Sequence, residues 1–180
     1  MSTLSPTGDF WLFLDSTTDN VIFPGNVYNK FNCILPMTIV LKQTESHLWQ
    51  VAITDILLKD SQSDRTAALP NGFVILSSLV QPSIIRGTLK PVLRQFFHTA
   101  GDGSAHQSLF LTQYMPIRDV SFNHISFKVL DSNLNDIVVP PPTTTRIPND
   151  SEQWIIKSTQ PELSLILHFQ VAERMLPANL

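Results

Sequence analysis

Charged residues are scarce in this chain. They make up 15% of its 180 residues, where about 25% is typical of globular chains. The 12 lysines and arginines are scattered and the formal net charge is −3, so no basic cluster predicts direct binding of nucleic acid. A low charge density is typical of a chain that hides surface in an assembly. It is equally typical of a monomer rich in Ser, Thr, Asn and Gln, and both interpretations stay open at this point.

Cysteine and long apolar runs are also lacking. The single cysteine, Cys33, excludes an intrachain disulfide framework and a zinc knuckle. Its apolar neighbours predict a small buried side chain rather than a reactive thiol. No apolar run approaches the roughly 20 residues of a membrane-spanning helix, and residues 1–6 lack the pattern of a signal peptide. We therefore expect no membrane span and a soluble protein made inside the cell.

The sequence is instead rich in alternating apolar positions. In residues 47–58 the apolar positions of one face are Trp49, Val51, Ile53 and Leu57. This alternation of aromatic and β-branched residues predicts a long strand with one face in the core. Asp55 is the only polar residue at that parity. Because burial without a partner is costly, we expect its carboxylate near a strand end, bonded to a backbone amide or partly solvated.

Other segments predict further strands. Residues 162–171 alternate most regularly, and residues 10–14 form a short apolar run typical of a strand buried on both faces. The parity of apolar residues switches at Asn123-His124, which suggests a bulge, and Pro36 suits an edge or a bend. We count about eight to ten strands, no convincing helix and no domain boundary. The prediction is one all-β domain over residues 1–180, a sandwich or barrel.

Two candidate metal sites are weak. The run Asp131-Ser132-Asn133-Leu134-Asn135-Asp136 offers the first ligands of a calcium loop, but Asp136 stands where that loop needs glycine and Pro142 where it needs glutamate. We favour a turn, in which Asp and Asn side chains bond their own backbone. His98, Asp102 and His106 recur every four residues around a loop, where spacing alone does not make side chains converge. We expect no bound metal.

Catalytic motifs are absent from the sequence. No serine lies in a G-x-S-x-G turn, and no glycine-rich phosphate loop follows a strand. We therefore predict no catalytic or cofactor-binding residues, no cofactor and no enzyme activity. Tryptophans could line a sugar site. Trp11 and Trp49 lie in strongly apolar strands and are expected in the core, whereas Trp154 is the one whose exposure would matter.

Several pieces of the sequence, taken in order, resemble one known family. An apolar strand ending at Ser16 comes first. It is followed by Phe23-Pro24-Gly25-Asn26, Asn29-Lys30-Phe31, Trp49-Gln50-Val51-Ala52-Ile53-Thr54-Asp55-Ile56, Pro82-Ser83-Ile84-Ile85-Arg86-Gly87, Pro91-Val92-Leu93-Arg94, Tyr114-Met115-Pro116-Ile117 and Ile125-Ser126-Phe127-Lys128-Val129-Leu130-Asp131. In order and spacing these pieces resemble the minor capsid (penton) proteins of the polinton, adintovirus and virophage lineage.

The resemblance implies a fold and a role. The expected fold is a single jelly-roll β-sandwich of about eight strands, standing upright at the icosahedral vertices of the virion. Five copies are expected to form a homopentamer, a closed head-to-tail ring, that contacts the double-jelly-roll major capsid protein. The turn after Asp131 departs from the family by lacking a glycine. The length of 180 residues leaves no room for the outer domain of some relatives, which puts host attachment in doubt.

Two other function classes stay open. One is a jelly-roll module that binds a carbohydrate or a receptor, and exposed aromatic residues on one sheet would favour it. The other is a jelly-roll metalloenzyme of the cupin type. That class needs two closely spaced histidines on one strand, and because His124 stands alone, it is the least favoured.

Overall fold

The structure, a computed structural model, describes residues 2–17, 19–44, 47–59, 72–97, 104–108, 112–138, 145–148, 154–157 and 162–173. Only the backbone is described for residues 58–59, 96–97, 104–108, 145–148, 154–157 and 173. Every regular secondary-structure element in these ranges is a β-strand, which confirms the predicted all-β class. They are β1 (Thr3–Leu4), β2 (Phe10–Asp15), β3 (Lys30–Val40), β4 (His47–Lys59), β5 (Gly72–Ser77), β6 (Ser83–Ile85), β7 (Thr88–Lys90), β8 (Val92–Phe97), β9 (Ser104–Ser108), β10 (Met115–Pro116), β11 (Ser121–Asp131), β12 (Thr145–Pro148), β13 (Trp154–Lys157) and β14 (Glu162–Glu173).

Two large sheets contain the long strands. The first sheet has the order β1-β3-β11-β5-β8, and the second has the order β10-β4-β14-β2, with β9 also pairing with β4. The pairs within both sheets are antiparallel, except that β1 runs parallel to β3. The β6–β7 and β12–β13 pairs form separate two-stranded sheets. Because β14 pairs with β2, strands far apart in the sequence lie side by side in the second sheet.

The hydrophobic core lies between the inward faces of the two large sheets. From Leu163 to Phe169 of β14 every second side chain points inward, and each of these is at most 3% exposed: Leu163, Leu165, Leu167 and Phe169. Phe122 of the first sheet stacks on Phe169, with ring centroids 5.9 Å apart. Buried residues of both sheets form one cluster. Burying each large apolar side chain contributes about 1.5–3 kcal/mol, so the alternation determines which face of each strand turns inward.

Two predicted backbone irregularities are confirmed in the first sheet. The register between β11 and β3 shifts between Phe122 and His124, where the parity of apolar residues switches in the sequence. On β3, the shift falls between Ile34 and Ile39, and the exposed Pro36 lies in that interval. Because proline has no N–H to give to the ladder, an interruption in the pairing suits it.

The face predicted for β4 is correct up to Ile53 and wrong beyond it. Pairing with β14 shifts register there, and Thr54 is the extra residue of a β-bulge. The parity therefore reverses: Ile56 is 2% exposed in the core, whereas Leu57 is only partly buried on the other face. The bulge also explains why a polar residue stands at an inward parity, because it turns the side chain of Asp55 away from the core. Asp55 lies within the strand, so the expectation that it lies near a strand end is wrong.

The prediction that residues 10–14 are buried on both faces is wrong. Phe10 and Leu12 pack against the core, but Trp11 is 52% exposed and Phe13 is 76% exposed. The strand is at the edge of the second sheet, and these two side chains lie on the face turned away from the core. The expectation that Trp11 is a core residue is wrong for the same reason.

Candidate interaction surface

The outer face of the second sheet, meaning the face turned away from the core, carries three pairs of side chains from β2 and β14. The members of each pair lie directly opposite one another in the ladder: Trp11 and His168, Phe13 and Ile166, Asp15 and Ser164. Because alternate residues of a strand share a face, all six lie on one surface. Contiguous exposed apolar side chains of this kind often mark a site of interaction with another molecule.

His168 lies at the centre of a compact cluster on this face. The indole of Trp11 stacks on its imidazole, with ring centroids 4.4 Å apart and planes inclined by 10°. The hydroxyl oxygen of Tyr114 lies 2.6 Å from Nδ1 of His168, and a carboxylate oxygen of Asp9 lies 3.6 Å from Nε2. Partial burial, with the negative charge of Asp9, raises the pKa of Tyr114. The phenol therefore keeps its proton and remains a hydrogen-bond donor.

An open groove of about 330 Å³ lies beside this cluster on the same face. We call it the outer groove, and it is lined by Phe13, Leu14, Asp15, Asp55, Leu57, Ser164, Leu165 and Ile166. Its walls are mostly apolar and come from β2, β14 and β4. Two carboxylates stand among them, one from the end of β2 and one from the bulge in β4. Its volume is at the low end of the range for small-ligand pockets, about 300–1,000 Å³.

The carboxylate of Asp15 is fixed at one end of the outer groove by three hydrogen bonds. Oδ1 accepts from the backbone N–H and the hydroxyl of Thr17, at 2.8 and 2.6 Å. Oδ2 accepts from the hydroxyl of Ser164 at 2.6 Å. An apolar groove with oriented carboxylates suits a segment that carries both apolar and cationic side chains.

A second exposed apolar feature lies between two strands of the first sheet. Residues 83–90, the β6–β7 hairpin, connect β5 to β8, and we call them the apolar hairpin. Ile84 and Leu89 lie opposite one another in it and are 76% and 68% exposed. Its turn, Arg86-Gly87, has φ angles of 49° and 76°, as a two-residue hairpin turn requires. The Arg86 guanidinium donates to the side-chain oxygen of Asn133 at 3.3 Å, which holds the turn beside the loop after β11.

The segment after β11 forms a turn, as the sequence predicts. Asp131 Oδ1 accepts from the backbone N–H groups of Asn133 and Asn135, each at 2.8 Å. These hydrogen bonds, the one from Asn135 above all, lower the pKa of Asp131. The carboxylate that would begin a calcium loop is therefore already bonded within the chain, and Asp136, at the glycine position of such a loop, is paired with Lys128 at 2.6 Å.

Two predicted core residues are confirmed. Trp49 is 2% exposed, and its indole N–H donates to the carbonyl of Lys42 at 3.0 Å. Cys33 is 3% exposed. Burial, with the nearby charges of Asp19 and Asp15, raises the pKa of Cys33 to about 12. The thiol is accordingly a buried apolar group, and the thiolate that would make it reactive is strongly disfavoured.

The remaining sequence candidates fall outside what the structure describes. His98 and Asp102 are outside the described residues, and for His106 and Trp154 only the backbone is described. In the described part of the chain, no three His, Cys, Asp or Glu side chains gather in a way that could hold a metal ion. The same part contains no helix with the length and hydrophobicity needed to cross a membrane.

Comparison with known proteins adds no relative. The chain matches no protein-family model, no curated protein and no solved structure.

Proposed function

We propose that this chain is a structural protein of a viral capsid, the penton subunit that forms a homopentamer at the icosahedral vertices. The observation that carries the proposal is the strand order. Counting β9 and β10 as one interrupted strand, the long strands in chain order are β2, β3, β4, β5, β8, β9/β10, β11 and β14. They are arranged 6-3-8-1 in the second sheet and 2-7-4-5 in the first. That arrangement supports a single jelly roll, in which two Greek keys form two four-stranded sheets.

The surface chemistry supports an assembly rather than a free domain. The outer face of the second sheet exposes Trp11 and Phe13, and the charge density of the whole chain is low. Neighbouring copies can bury such a surface without stranding many charges, as the cores of protein interfaces require. The sequence resemblance to penton proteins gives the assembly its expected symmetry, a closed ring of five head-to-tail contacts. The remaining exposed faces of the pentamer then contact a double-jelly-roll major capsid protein. In this role the protein acts through its shape, the area of its interfaces and the closure of the ring.

The test is the native mass, measured by light scattering across a concentration series. It is made on the purified protein and on protein co-expressed with a double-jelly-roll major capsid protein. We expect, in at least one condition, a species with five times the mass of the 20.2 kDa chain. A trimer, or a monomer under both conditions, contradicts the proposal.

A second candidate is a jelly-roll module that binds a carbohydrate or a receptor. The observation in its favour is Trp11, half exposed beside Phe13 on a single sheet, because such rings present flat apolar faces to ligands. Titration with a panel of glycans, followed by tryptophan fluorescence, tests it. A saturable change that Trp11→Ala abolishes, in a protein that forms no fivefold species, would favour this candidate over the capsid role.

A further inference from the structure

The outer groove and the apolar hairpin are complementary in chemistry. The groove is apolar with two carboxylates, Asp15 and Asp55. The hairpin exposes an aliphatic pair on its strands, with Arg86 at its turn and Lys90 at its end. Apolar contact combined with opposite charges makes an interface specific for its partner, whereas apolar contact alone does not.

The two features belong to different parts of the fold. The hairpin connects strands of the first sheet, and its turn is bonded to Asn133. The groove lies on the outer face of the second sheet. A copy therefore holds its hairpin away from its own groove, and the two can meet only between copies. A contact between unlike surfaces is heterologous and propagates head to tail, which yields a closed ring when the rotation closes.

We propose that the apolar hairpin of one copy inserts into the outer groove of the next copy and forms the repeating contact of the ring. Ile84 and Leu89 then lie against Phe13 and Leu57, and Arg86 faces the carboxylate of Asp55. This inference rests on the proposed function, because it names the interface by which the pentamer closes.

Disulfide trapping tests the contact directly. Leu89→Cys and Phe13→Cys are combined in one chain, and the protein is oxidised with copper phenanthroline in the condition in which the ring forms. We expect a ladder of covalent oligomers up to the pentamer on a non-reducing gel. The native thiol of Cys33 does not interfere, since it is buried. The matched control combines Leu89→Cys with Val21→Cys, because Val21 is 97% exposed but belongs to neither feature, and this pair is expected to stay monomeric on the gel.

A charge reversal gives an independent readout. Arg86→Glu is expected to raise the concentration at which half of the chains are in rings by about tenfold or more, because like charges across an interface are strongly unfavourable. Val21→Asp, which also places a carboxylate at an exposed position, is expected to leave that concentration unchanged.

The outcomes separate the two proposals. A ring in which Leu89→Cys of one copy cross-links to Phe13→Cys of the next, and which weakens with Arg86→Glu, supports both the ring and the hairpin contact. A fivefold ring that shows no ladder and ignores Arg86→Glu overturns the hairpin contact and leaves the capsid role standing. A wild-type chain with no fivefold species in either condition overturns the capsid role, and with it the hairpin contact.

Discussion

The hydroxyl oxygen of Tyr114 lies 2.6 Å from Nδ1 of His168 and links the segment before β10 to the middle of β14. Tyr114→Phe removes this hydrogen bond and leaves a largely buried imidazole nitrogen without it. We expect the free energy of unfolding to fall by about 0.5–1.5 kcal/mol, measured by urea denaturation. A double-mutant cycle with His168→Ala isolates the contact. Purely additive effects of the two substitutions would contradict the coupling.

Phe13 and Phe169 offer a matched pair of phenylalanines on opposite faces of the second sheet. Phe13 is 76% exposed, whereas Phe169 is 0% exposed. Phe169→Ala should lower the free energy of unfolding by about 3–5 kcal/mol, because it leaves a cavity. Phe13→Ala should change it by less than about 0.5 kcal/mol. Urea denaturation of the monomer measures both, and a large loss for Phe13→Ala would mean that this side chain stabilises the chain itself rather than an interface.

The strands themselves are predictable from sequence because burial of one face imposes a period of two. The regular alternation around Leu165 and Leu167 suffices for β14, and the parity switch at Asn123 suffices for the bulge in β11. The exposure of Trp11 is not predictable in this way. A short apolar run has the same sequence pattern whether its outer face is covered by the same chain or by another molecule.

The clusters on the outer face are also beyond the reach of the sequence. His168 occupies an outward position in β14, which alone suggests no more than a polar surface residue. Its contact with Trp11 depends on the register between strands more than 150 residues apart in the chain, and its bond to Tyr114 depends on the segment before β10. Only Asp55 gives a local signal. A carboxylate at an inward position indicates that the alternation of inward and outward side chains along β4 changes there.

The buried thiol makes stability depend on alkaline pH. The pKa of Cys33 is raised from 9.0 to about 12, so below pH 9 the thiol is protonated in both the folded and the unfolded state. As the pH rises above 9 the unfolded chain releases this proton while the folded chain keeps it. The free energy of unfolding then falls, by up to about 1.4 kcal/mol per pH unit from this group.

Urea denaturation between pH 8 and pH 10 measures this slope. Cys33→Ala has no thiol to ionise and is expected to lose that part of the slope, although it is less stable at every pH. Equal slopes in the wild type and the variant would show that the thiol is not held in its protonated form.

Calcium should leave the turn after β11 unchanged. Asp131 already accepts two backbone N–H groups, and Asp136 is paired with Lys128. The site also lacks the glycine and the glutamate that a calcium loop needs. We expect the same melting temperature in excess Ca²⁺ and in a chelator, measured by calorimetry. A rise in melting temperature with Ca²⁺ that Asp131→Asn removes would contradict the turn interpretation.

The bulge in β4 determines which side chains of this strand reach the core. Thr54 is the extra residue against β14, so its deletion keeps Ile53 and Ile56 inward and makes the pairing regular. The deletion removes the hydrogen bond from the Thr54 hydroxyl to the carbonyl of Ile166, 3.3 Å long. We therefore expect a folded protein whose free energy of unfolding falls by no more than about 0.5–1.5 kcal/mol.

Deletion of Ala52 is the matched control, because it shortens the same strand by one residue. Without Ala52, regular pairing turns Ile53 outward and puts the hydroxyl of Thr54 into the core. Loss of a buried isoleucine typically costs about 2–5 kcal/mol, and a buried hydroxyl adds to that cost. Urea denaturation of both variants decides between them. If the two deletions are equally destabilising, the inward or outward position of each side chain is not set by the bulge, and Asp55 faces outward for another reason.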